Sequence, residues 1–296
     1  MAIFKGILFV LLIAMTAADM AMKMDTSQVK IASEAGSMEF RRQLGNTSEL
    51  SDPVKIKMAE VVQIGADGLE VTDCAKNGNP LFSMFNPMKR FANFAGKTFN
   101  IDAMRENAAM PNAGSLKASM TKFSADLGAD VGKLAIDLAL AEEAGEVVVG
   151  GETQALEKGD MKFNIELSEW KWCGEEDATG AAKFLDVYME VKGKLTPQMK
   201  HARSAAVPAS FDIGDNMTVS FSGKFQKDSG AWADMVDGYP KVDPTNPYRV
   251  IVRFPRFSTK LVYDPSLTGA AGFVSLSIIL VTMTTVVACV MFNGIM

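Results

Sequence analysis

Histidine is almost absent: His201 is the only one among 296 residues, and there are three cysteines. A histidine-based triad would have to use His201, which lies in an unpatterned link with no nucleophile motif beside it. The chain also lacks G-x-S-x-G, H-E-x-x-H, a glycine-rich phosphate loop and C-x-x-C. These absences remove the catalytic sets those motifs carry, and they leave His201 as an exposed loop residue. No basic stripe is present, which argues against nucleic acid as a partner. Long Asp or Glu runs of the kind expected in a mineral-templating tail are missing too, although the net charge is −5.

What the chain does have is apolar at both ends. Residues 1–18 carry one base, Lys5, then an apolar stretch from Ile7 to Met15, with Thr16 and Ala18 placed for cleavage before Asp19. This predicts a secretory signal peptide. At the other end there is no charge after Asp264, and Gly272 to Phe292 is long enough as a helix to span about 30 Å of hydrocarbon. Residues 270–292 are therefore read as a transmembrane helix or as a removable signal for a glycolipid anchor. The missing basic residues on the inner flank favour the anchor signal, and the missing polar spacer favours the helix. Either way, the body is expected outside the cell and attached to its membrane.

Between these ends the periodicity is that of strands. Met161, Phe163, Ile165 and Leu167 alternate with polar residues, as do Leu185, Val187, Met189 and Val191. The two runs are expected to pair antiparallel across a Gly-bounded loop, Gly174 to Gly180. Further strands are expected at 54–64, 69–71, 116–123, 134–140, 147–149, 217–221 and 248–254, with Tyr248 to Phe254 as the last. Over 134–140 a helix is the rival, because Ala and Leu are good helix formers, but the apolar residues recur every second position. Residues 19–50 read as a loosely structured leader with a turn of helix near Glu39 to Leu44. No βαβ alternation is visible. The expected fold is an all-β, antiparallel β-sandwich over residues 51–265.

Candidate sites are few. In an oxidising compartment Cys74 and Cys173 are the pair left to bond, since Cys289 lies in the apolar tail. Closing a loop of about 100 residues would stabilise the fold by roughly 4–5 kcal/mol in the chain-entropy account. Asn46 and Asn216 open glycosylation sequons. Three carboxylate groups are candidates for weak surface calcium: Glu142, Glu143 and Glu146; Glu175, Glu176 and Asp177; and Asp234, Asp237 and Asp243. None has the order of a dedicated calcium loop. Arg249, Arg253, Arg256 and Lys260 make the last strand and its exit basic, either as a contact for lipid or an acidic partner or as protection of an edge strand. The phenylalanine-rich stretch from Leu81 to Phe99 is read as packing over the core, with an exposed contact surface as the alternative.

The segments MKFNIELSEWKWC, FLDVYMEVKGK and RFPRFSTKLVYDP are together similar to organic-matrix proteins of stony-coral skeletons, over roughly residues 115–265. The resemblance implies a secreted or membrane-attached protein found in mineral, and it assigns no site residues. With the end segments, it predicts a non-enzymatic extracellular matrix or biomineral-associated protein, with no cofactor. The alternatives are an adhesion or receptor ectodomain binding a protein or glycan, and a secreted hydrolase using a carboxylate pair.

Overall fold

The computed structural model describes residues 19–24, 26–33, 36–43, 48–71, 92–94, 97–128, 131–176, 180–199, 209–228 and 230–269. Every regular element among them is a strand, and every strand pairing is antiparallel. The opening meander is β1 (Met20–Lys23), β2 (Ser27–Ala32) and β3 (Ser37–Arg42). The long β4 (Val54–Gly65) follows, with the short β5 (Ala92–Asn93) beside it. Next come β6 (Asn100–Ile101), β7 (Arg105–Ala109), β8 (Lys117–Gly128) and β9 (Gly132–Ala141). A hairpin of β10 (Gly145–Val149) and β11 (Glu152–Leu156) precedes β12 (Met161–Ser168) and β13 (Ala182–Lys192). The chain continues through β14 (Gln198–Met199), β15 (Ala209–Gly214), β16 (Met217–Phe221), β17 (Lys224–Lys227) and β18 (Ala231–Asp234). It closes with β19 (Lys241–Asp243), β20 (Asn246–Pro255), β21 (Lys260–Tyr263) and β22 (Ser266–Gly269).

Two sheets form the sandwich. The first runs β1-β2-β3-β4-β13-β20-β19. The second is centred on β12, which pairs with β9 on one side and with both β22 and β21 on the other. Leu134, Ile136, Leu138 and Leu140 of β9 join Met161, Phe163, Ile165 and Leu167 of β12 in one buried cluster with Leu185, Val187, Met189 and Val191 of β13. Each such side chain contributes about 1.5–3 kcal/mol when fully buried.

Several expectations change. β12 and β13 do not pair: they stand in opposite sheets, and their apolar faces meet across the core. Residues 169–181 are long enough to cross between layers, which a tight turn is not. The described part of the leader is not loose and holds no helix, since residues 20–23, 27–32 and 37–42 form β1 to β3. Its inward residues are Met22, Val29, Ile31, Met38 and Phe40, all buried. These strands carry only two or three apolar positions each, so their period is short. Tyr248 to Phe254 is not the last strand, because β21 and β22 follow it. The described residues also hold more strands than those expected, many of them two to five residues long. Of the phenylalanine-rich stretch, Phe94 and Phe99 are fully buried. Phe82, Phe85 and Phe91 lie outside the described residues, as do residues 1–18, Asn46, Cys74, Asp177, His201 and 270–292.

β10 and β11 lie on the outer side of the second sheet. Val147 and Leu156 pack there with Ala118, Met120, Ala139 and Ala141. This explains why β8 reads weakly: Phe123, Ala125 and Leu127 face the main core, while Ala118 and Met120 face the hairpin. A strand apolar on both faces loses its alternation.

Candidate functional site

Beneath the hairpin runs a seam of buried polar groups. Lys162 of β12 projects away from the main core and forms an ion pair with Asp264, both almost wholly buried. Asn112 donates to the second oxygen of Asp264 at 3.1 Å. Burial pushes the Asp264 carboxyl up and the Lys162 amine down, and each partner pulls the other back. The Ser266 hydroxyl lies 3.0 Å from Gln154 Oε1, and Ser222 donates to Glu152 Oε2 at 2.7 Å. Asp264 and Pro265 also divide β21 from β22. Pro265 has no N–H to give, but its carbonyl accepts from Phe163 N at 3.1 Å, so the ladder continues past the break.

Asp160 closes one end of the seam. Its carboxylate pairs with Arg42 and accepts N–H groups from Glu157 at 2.8 Å and Gly269 at 3.1 Å. Burial raises its pKa to about 6, and Arg42 and the two amides oppose the rise. Asp160 thus ties β3, the approach to β12 and the end of β22 to one carboxylate.

The outer face of the first sheet is different: it is open and basic. Register places Lys30 opposite Glu39, Glu39 opposite Lys55, and Lys55 opposite Lys192. The neighbouring row runs Lys57, Glu190, Arg249. Three cations converge on Glu190: Lys57 and Lys192 at 3.2 Å and Arg249 at 3.5 Å. Burial works against ionisation of Glu190, but Lys57 and Lys192 hold its carboxyl below the usual range. Glu39 is shared by Arg41 at 3.0 Å and Lys55 at 3.6 Å. Further along, Arg253 grips Asp186 with two bonds of 2.6 and 2.7 Å and lies over the Tyr239 ring. β20 is paired with β13 along its length but with β19 only as far as Ile251, so Arg249 does not lie on an edge, while Arg253 lies beyond the β19 pairing.

Among the described residues the calcium candidates are not gathered into sites. Glu142 accepts from Asn107 N and Ser119 Oγ, and Glu143 from Lys117 N. Asp234 pairs with Lys224, and Asp243 accepts from Thr245 in its own turn. Among the described residues no three acidic, histidine or cysteine side chains converge as metal ligands. Also among the described residues, no helix is long and apolar enough to cross a membrane. Asn216 is exposed in the β15–β16 turn at φ 57°, and Cys173 is buried and disulfide-bonded.

Sequence reasoning missed the seam and the basic rows. Lys162 reads as an outward polar residue of an alternating strand, and although a strand is expected at 147–149, nothing in the sequence places the hairpin it belongs to over Lys162. Lys55 and Lys57 were visible as the polar face of β4, but not the neighbours that make that face a surface.

The architecture defines an all-β protein of the antiparallel sandwich class, with a two-stranded flap on one layer. Its sequence matches the family described as acidic skeletal organic matrix protein over residues 15–206 and 196–276. The chain belongs to that family. The match extends well beyond residues 115–265, where the resemblance was read, and includes the three-stranded meander.

Proposed function

We propose that this chain is a non-enzymatic protein of the organic matrix of a mineral skeleton, exported by residues 1–18 and held at the cell surface by residues 270–292. The family match over most of the chain carries the matrix role. The export and anchoring segments rest on their own hydropathy and charge, with the body between them outside. A disulfide between Cys74 and Cys173 and glycans on Asn46 and Asn216 suit that compartment. The single histidine and the missing catalytic motifs support a role without turnover and without a cofactor.

Mass spectrometry of cleaned mineral and of membrane fractions tests this reading. Peptides from the body are expected in both, with an N-terminus at Asp19 and residues 270–292 either retained or replaced by a glycolipid. An intact chain in the cytosol, with Met1 present, would overturn it.

A further inference from the structure

We infer that the outer face of the first sheet is a docking surface for an extended acidic polypeptide. The face is basic in a chain whose formal net charge is −5. The excess of cations is local: Glu190 meets Lys57, Lys192 and Arg249, and Glu39 meets Arg41 and Lys55, whereas Arg249 is shared with Glu60 and Arg253 is matched by Asp186. Lys55 and Lys192 stand directly opposite each other on neighbouring strands. Like charges in that position destabilise a sheet, and here each is offset by a carboxylate it shares with other cations, Glu39 for Lys55 and Glu190 for Lys192, which leaves both able to take a further anion. The side chains of Lys55, Lys57 and Lys192 are 61%, 42% and 54% exposed, so an anion can reach them.

The shape of the face selects the kind of anion. Next to Lys55 lies a trough lined by the small residues Ala21, Ala32 and Ser37 and by two lysines, Lys30 and Lys55, and two carboxylates, Asp19 and Glu39, so the trough supplies room while the excess positive charge lies beside it at Lys57 and Lys192. Small residues on β1 to β3 leave room for a chain to lie against the sheet. Lys55 and Lys57 are two residues apart on one strand, roughly 7 Å, and alternate carboxylates of an extended peptide repeat at the same spacing. The roughly 7 Å repeat along one strand suits a linear row of carboxylates, whereas lipid headgroups present a plane of charge. An acidic polypeptide therefore fits better than a lipid surface. This deepens the matrix reading by naming a partner chemistry for it.

Fluorescent poly-L-aspartate, titrated against the full-length protein by anisotropy, tests the assignment. Binding is expected to weaken steeply as salt rises. The double variant Lys55→Glu/Lys57→Glu should lose at least tenfold in affinity, and Lys117→Glu on the other sheet should lose nothing. If the reversal variant melts early, Lys55→Gln/Lys57→Gln carries the same comparison. Equal loss in the Lys117 control, or no salt-sensitive binding, overturns the proposal. So does a preference for phosphatidylserine vesicles or heparin over polyaspartate. Sedimentation showing that the same lysines drive self-association instead would also overturn it. A protein recovered from mineral that ignores polyaspartate refutes this inference alone and leaves the matrix role standing.

Discussion

Asp160 and the Lys162–Asp264 pair govern how single residues will respond to change. Asp160 has a folded pKa of about 6 against an ordinary 3.8. A raised carboxylate binds its proton more readily when folded, so its contribution is present below about pH 4 and is lost as pH rises through 6. The loss is on the order of 2–3 kcal/mol. Thermal melts from pH 5 to pH 7 should therefore fall, and Asp160→Asn should flatten its share of that slope. Glu152 and Asp264 are raised as well and act in the same direction. Glu39 and Glu190 are lowered; their contributions disappear only at more acidic pH. For the buried pair, Asp264→Asn or Lys162→Met alone should cost about 3–5 kcal/mol, because either leaves an uncompensated charge. Lys162→Met with Asp264→Leu should recover much of that cost, as read by denaturant midpoints.

At the scale of elements, the turn between β2 and β3 is tightly constrained. Gly36 has φ +55°, and a Cβ there would stand 2.7 Å from the Phe99 ring, which is itself fully buried. Gly36→Ala should cost about 2–4 kcal/mol from the left-handed backbone and the overpacked ring together. Chemical denaturation checks this, and Gly68→Ala, where a Cβ meets nothing within 4 Å, is the control. Elements also show what sequence can and cannot reveal. β4, β9, β12, β13, β16 and β20 announce themselves because each has one apolar face and enough length to show a period of two. β8 is muted because the hairpin buries its second face. β1 to β3 are muted because each offers so few inward residues. The partner of each strand is beyond the pattern altogether: β12 and β13 are consecutive and equally amphipathic, yet they belong to opposite walls. Alternation fixes which side of a strand is buried, not which strand lies beside it.

For the whole molecule, long-range connections dominate. β4 pairs with β13 and β3 reaches Asp160, so segments distant in sequence must meet before the core closes. Such topologies fold slowly and gain from covalent closure. Cys173→Ser should lower stability by about 2–5 kcal/mol. If Cys74 is its partner, Cys74→Ser should cost the same and the double variant no more; unequal or additive losses in thermal melts would assign the bond elsewhere.

The position of β22 has a mechanical consequence. Its backbone is bonded to β16 on one side and β12 on the other, and its last amide is held by Asp160. A pull applied at residue 270 runs along the strand, so the rungs on both flanks bear the load together instead of peeling one by one. Under the proposed anchoring, tension between the membrane and whatever the body grips would thus be spread into the middle of a sheet rather than its fraying rim.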